Sequence, residues 1–185
     1  MQSTLTGTSA QYDAAVAVCR DIFEHKIHDY GTSWRVLRPS SITDQIFIKA
    51  QRIRTIEETG VNLVDESVED AFRGIVNYVV IAMIQLELTE NDPLHLPASE
   101  VMPMYDAHIH AIKTLMENKN HDYGEAWRDM RIRSFTDLIL MKLLRVKQIE
   151  ENEGNTRISE GIASHYMDMA NYAIFALIKL QEGEK

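Results

Sequence analysis

A chain of 185 residues is long enough for one ordinary domain with a sizeable core, or for two small subdomains that share one. Its 45% hydrophobic and 25% charged residues are the mix of a folded globular protein and exclude the disordered class. A formal net charge of -9, with no basic stripe to offset it, repels a phosphate backbone and excludes duplex DNA or RNA as a partner.

In chain order, residues 1–11 are largely polar and predict a flexible N-terminus, with neither the basic start nor the apolar stretch of a signal peptide. From Tyr12 onward apolar residues recur at helical spacing in Ala14, Ala15, Val18, Cys19, Ile22 and Phe23, which predicts a first helix. Cys19 is the single cysteine; it reads as core, and with no partner for a disulfide it fits a reducing compartment. A loop carrying His28-Asp29-Tyr30-Gly31 follows and leads to Pro39. Ser41-Ile42-Thr43-Asp44 fits a capping box, so a second helix is expected from about Ile42 to Glu58, closed by Gly60. A third helix, about Val64 to Leu88, is apolar nearly all round toward its end, as a central bundle helix is. Its apolar run Ile75 to Ile84 holds Asn77 and is roughly half of what a membrane span needs, so no membrane association and a cytoplasmic location are expected. Residues 89–99, with Asn-Asp-Pro and Leu-Pro, read as a connector.

The pattern then repeats. The segment from Tyr12 aligns with that from Tyr105 without a gap through Glu58 and Glu151, and after one extra residue the match resumes at Gly60 and Gly154. About 28 of some 75 positions are identical, too many for chance. The second copy has its own helix one (Ala107, Ile112, Leu115, Met116), a second capping sequence from Ser134 to Asp137, a helix from about Phe135 to Glu151 and another from about Ile158 to Leu180. The expected architecture is all-α: a tandem duplication of a three-helix unit, 12–88 and 100–185, related by a pseudo-twofold axis, with four of the six helices forming a central bundle around one shared core.

Function must lie in the polar residues of both copies. Glu66, Asp70, Arg73 and Asn77, at steps of four, three and four, form one stripe on an otherwise apolar helix, and Glu160, Ser164, Asp168 and Asn171 form its counterpart. A buried carboxylate needs a cation. Lys49 and Arg52, repeated as Lys142 and Arg145, would make that stripe an internal salt-bridge network. Alternatively the acids Glu57, Glu58, Glu66, Glu69 and Asp70, with Glu160 and Asp168, bind magnesium while the bases hold substrate phosphates. The second copy keeps Glu150 and Glu151 but has Ala163 and Ser164 for Glu69 and Asp70, so the copies do not contribute equally. The loop Lys26-x-His28-Asp29-Tyr30-Gly31-x-x-Trp34-Arg35 recurs as Lys119-x-His121-Asp122-Tyr123-Gly124-x-x-Trp127-Arg128. Either Gly31, Asp29 and Trp34 shape and plug the loop, or Trp34 and Tyr30 stack a nucleobase whose edge Asp29 or His28 reads. Asp44 and Asp137 read as helix caps, Asn77 and Asn171 equally as helix-bridging amides, and His108-x-His110, which has no counterpart in copy one, as surface.

The Lys-x-x-Asp-Tyr-Gly-x-x-Trp loop, the Lys-x-x-Arg of the second helix and the Asn-Tyr of the third resemble the nucleotide-modification-associated domain family, over nearly the whole chain and in both copies. That family is similar to the MazG-like all-α nucleotide pyrophosphatases, which bind magnesium through Glu-x-x-Glu and Glu-x-x-Asp pairs and release pyrophosphate from nucleoside triphosphates. The resemblance implies a nucleotide or related phosphorylated ligand, a magnesium cofactor and a homo-oligomer. In that role Glu57, Glu58 and Glu66 are the catalytic candidates, and Glu66, Glu69, Asp70, Glu160 and Asp168 the metal ligands. The substrate would be held by Lys26, Asp29, Tyr30, Trp34, Lys49, Arg52 and Asn77, with Lys119, Asp122, Tyr123, Trp127, Lys142, Arg145 and Asn171 in copy two. The chain departs from the enzymes where Lys49-x-x-Arg52 stands in place of a Glu-x-x-Glu, and where Glu57 and Glu58 are adjacent.

Overall fold

The structure is a computed structural model that describes residues 2–152 and 161–184. Those residues form six α-helices and no strand: α1 (Gln2–Tyr30), α2 (Pro39–Thr59), α3 (Val68–Glu87), α4 (Ala98–Tyr123), α5 (Ile132–Glu151) and α6 (Ile162–Gln181). Helices α2, α3, α5 and α6 make the central bundle, α3 packing on α6, α2 on α3, α5 on α6 and α2 on α5, while α1 and α4 flank it. One continuous core runs through both repeats, from Tyr12 and Cys19 through Ile46, Ile75 and Val79 to Ile139, Met169 and Ile174. No helix among the described residues is long and apolar enough to cross a membrane.

Helices α1, α2 and α5 start earlier than the sequence suggests, while α3 starts later, at Val68. Residues read as a flexible terminus belong to α1, which begins at Gln2; Thr8 is buried and hydrogen-bonds Glu125 and Arg128 of the other repeat. The expected loop His28-Asp29-Tyr30 is the last turn of α1, because the first residue to leave helical space is Gly31, left-handed at φ 61°, whose N–H donates to the Ile27 carbonyl. Gly124 ends α4 in the same way. Ser41 and Ser134 are not caps either: α2 begins at Pro39, whose fixed φ suits a first helical position, and α5 at the equivalent Ile132. The side chains of Asp44 and Asp137 instead reach across to Lys147 and Arg54, joining α2 and α5 by two equivalent exposed ion pairs. A side-chain N-cap forms at Ser67, which accepts from the Asp70 N–H, so α3 starts at Val68 and leaves Glu66 in the preceding loop. Gly154, read as the stop of the second copy's helix, lies outside the described residues.

The pseudo-twofold relation is written into two crossed hydrogen-bond sets. Asn77 on α3 donates to the Cys19 carbonyl of α1 at 3.0 Å and accepts from the Tyr105 hydroxyl of α4 at 2.8 Å. Asn171 on α6 donates to the Ile112 carbonyl of α4 at 3.1 Å and accepts from Tyr12 of α1 at 2.8 Å. Each asparagine thus ties one central helix to both outer helices, and burial holds both tyrosines neutral by raising their pKa. Replacing Tyr12 or Tyr105 by Phe leaves a buried carbonyl without its donor, so each variant should lose about 1–3 kcal/mol in denaturant unfolding. Unchanged midpoints would remove the crossed pairs from the stability of the fold.

A second equivalent pair lies where α2 meets α5. Glu57 accepts from Thr136 at 3.3 Å, and Glu150 interacts with Thr43. Burial raises the pKa of both carboxyls, with the threonine hydroxyls pulling the other way. An acid with a higher pKa in the folded chain binds its proton more tightly there, so its contribution to stability is full below the unfolded value of about 4.3 and is lost as pH rises through the folded value. Glu57→Gln and Glu150→Gln should each flatten part of the loss of stability as pH climbs above that point, measured by unfolding at a series of pH values. An unaltered pH slope would show that neither carboxyl is desolvated.

Candidate functional site

Between α1, α2 and α3 of the first repeat lies a cavity of about 600 Å³, within the range of small-molecule sites. Its frame is set locally. After Gly31 the chain makes a short 3-10 turn, Ser33–Val36, that lays Trp34 against the core; Gln85 of α3 fixes the turn by donating to the Arg35 and Leu37 carbonyls at 3.2 and 3.1 Å. Arg35 fastens the connector over it, donating to carbonyls of Thr89, Asp92 and Pro93. Its lining includes the aromatic side chains of Trp34, Tyr78 and Tyr30, the last 70% exposed. The same lining carries the charged side chains of Lys26, Lys49, Arg73, Glu66 and Asp70.

Lys49 crosses α3 at Gly74. A Cβ at that position would stand 2.9 Å from the lysine Cε, so the glycine is what lets the stem lie flat across the helix. The ammonium is 3.7 Å from Glu66 and 5.8 Å from the Tyr78 ring centroid, both loose contacts. Among the described residues no carboxylate pairs with Lys26, which is exposed at the cavity's edge. Arg52 stands behind this group, 3.6 Å from the Glu66 carboxylate, and also bonds the Glu66 carbonyl and Asn62 at 2.9 Å. Asp70 is paired with Arg73 at 2.9 Å.

The cavity thus gathers Lys26, Tyr30, Trp34, Lys49, Glu66, Asp70 and Asn77 from the candidates, with Arg52 against Glu66. Asn77 only contributes to a wall, because its carbonyl and one N–H are already used inside the bundle, as are those of Asn171. Glu57 turns toward α5, Glu58 pairs with Arg54 on the surface at 3.1 Å, and Glu69 borders a separate cleft against α6. The five acids of copy one therefore do not converge, and among the described residues no three His, Cys, Asp or Glu side chains gather as a metal-ligand set. Of the acids expected to hold magnesium, Glu66 and Asp70 are the two that line the cavity. Asp29 and Asp122 are exposed beside His28 and His121, Tyr123 is exposed, and Arg145 is exposed on α5. His108, expected at the surface, is mostly covered and 3.2 Å from Glu87. Glu160 lies outside the described residues.

The second repeat differs at the same place. Asp168, expected to bind metal, is 9% exposed and grips two lysines: Lys119 at 2.6 Å and Lys142 at 3.0 Å, the counterparts of Lys26 and Lys49. The register that pairs Asn77 with Asn171 puts Asp168 opposite Gly74, and not opposite an acid of the first copy. Trp127, 5% exposed, is stacked on Phe175 with centroids 4.3 Å apart and planes within 5°, and Arg128 lies over the ring at 4.4 Å. Opposite Phe175 the first copy has Ile81. Lys179 replaces Gln85 and holds the turn through the Arg128 carbonyl at 2.6 Å. Sequence reasoning missed Gly74 and Phe175; their signal was the contrast between the copies, which a search for shared residues discards.

No curated protein and no solved structure matches the chain. A family model described as "Nucleotide modification associated domain 1" matches residues 26–86 and 119–180, one segment in each repeat and together more than half of the chain. With the Lys-loop-Trp turn, the basic helix and the Asn-Tyr helix all inside both matched segments, the chain belongs to the nucleotide modification associated domain 1 family.

Proposed function

We propose that the first repeat binds a nucleotide or a related phosphorylated small molecule, with phosphate at Lys26 and Lys49 and the base toward Trp34 and Tyr30. The observation that carries this reading is a cavity lined by aromatic rings and by two lysines, of which one ammonium has no carboxylate among the described residues and the other holds one only at 3.7 Å. An ammonium so placed gains a charge-assisted hydrogen bond when a phosphate arrives, without first surrendering a strong one. Membership of a family named for nucleotide modification supports the ligand class. The pyrophosphate-releasing step implied by the MazG likeness is not part of the proposal, since Glu57 and Glu58 lie away from the cavity and Glu66 sits between Lys49 and Arg52.

A second reading, in which the charges only brace the helices, is favoured by Asp168, whose two lysine bonds are those of a buried structural network. The two readings separate at Lys26, which has no ion partner among the described residues. A thermal-shift screen against nucleoside mono-, di- and triphosphates, each with and without magnesium, should find one ligand class that raises the melting temperature; at a hundredfold excess over Kd the gain is about 2.7 kcal/mol. Lys26→Ala should then weaken that ligand by roughly tenfold or more, from the loss of a charge-assisted bond worth about 1.5–3 kcal/mol, while the unliganded melting temperature stays put. A panel without any shift, or a Lys26→Ala protein that binds as the wild type does, would sink the binding site.

A further inference from the structure

The two repeats present the same pair of lysines in two states, and the side chain beside that pair on the third helix differs between them. In copy one the position is Gly74, and the lysine pair faces a cavity. In copy two it is Asp168, whose carboxylate bridges the pair, Oδ1 to Lys119 at 2.6 Å and Oδ2 to Lys142 at 3.0 Å. Two oxygens of one anion taken up by two ammoniums is also how a phosphoryl group would meet them. Two turns further along α6, about 10 Å at 1.5 Å per residue, Phe175 lies parallel to Trp127, where copy one has the smaller Ile81 beside Trp34. Copy two therefore carries, attached to its own helix, an anion on the lysines and a ring on the tryptophan.

We infer that the second repeat is the same binding site closed from within, Asp168 standing in for the ligand's phosphate and Phe175 for its base, so that the chain has one open anion site and one latent one. The inference rests on the reading that the open cavity takes a phosphate group. A tethered carboxylate has a high local concentration and loses little freedom when it binds, so a free anion does not displace it. It also satisfies Lys142, which is 12% exposed and could not remain charged there at low cost without a partner. The exchange of Gly for Asp is thus sufficient both to shut the site and to hold its walls.

Equilibrium dialysis with labelled inorganic pyrophosphate tests this, since that probe needs only the lysines. The wild type should bind one pyrophosphate per chain, Asp168→Gly two, and Gly74→Asp none while keeping its melting temperature. An Asp168→Gly protein that folds and binds no more than the wild type overturns the inference. If that variant fails to fold, Gly74→Asp decides: lost binding at an unchanged melting temperature supports the tethered anion, while retained binding, or no binding by the wild type either, overturns it. Failure of the nucleotide reading looks different. Pyrophosphate stoichiometries that change as stated, with no nucleotide shifting the wild-type melting temperature, leave the closed site standing and remove only the base; a nucleotide shift with unchanged stoichiometries does the reverse.

Discussion

Asn77 and Asn171 set the geometry on which everything else rests. Each is a polar group deep in an apolar helix, and each is satisfied only when an outer helix of its own repeat supplies a carbonyl and an outer helix of the other repeat supplies a tyrosine hydroxyl. The two repeats cannot separate without leaving two amide oxygens and two phenols unpaired in an apolar setting. That requirement fixes α1 and α4 against the central four helices, and so fixes the distance from α1, which carries Lys26, to α3, which carries Gly74. The mouth of the cavity is a by-product of how the core solves a hydrogen-bonding problem.

On that symmetric frame the chemistry is unsymmetric. The ion pairs Lys147 to Asp44 and Arg54 to Asp137, the glutamate–threonine contacts and the crossed tyrosines all obey the twofold relation, because they hold helices together and both copies need holding. Two of the departures, Gly74 against Asp168 and Ile81 against Phe175, fall on one face of the third helix. In copy one the lysine stem occupies the room that a Cβ would take; in copy two a carboxylate stands between the two lysines.

Much of this was legible in the chain. The duplication, the all-helical class and the central place of the third helix follow from identity and periodicity, and Cys19 is the core residue its neighbours suggest. Helix ends are harder to read, because Lys, His, Asp and Tyr do not stop a helix; only Gly31 does, so the repeated motif reads as a loop although most of it is a last turn. Pro39 likewise outranks Ser41 as a start signal. Glu57 was misplaced for a readable reason: Ile46, Ala50, Ile53 and Glu57 share one stripe, and the first three are core, so the fourth had to lean toward α5 and away from the cavity. What could not be read was the crossing of Tyr12 to Asn171 and Tyr105 to Asn77, since nothing in the spacing says that the outer helices exchange partners.

The stacked Trp127 and the cavity-lining Trp34 are the chain's two tryptophans, and they sit in unlike surroundings. One indole is pressed between a phenyl ring and a guanidinium and sealed from solvent; the other borders open space. The protein thereby carries its own optical gauge: while the fold is intact Trp127 stays sealed, so a change of emission on adding a small molecule comes from Trp34.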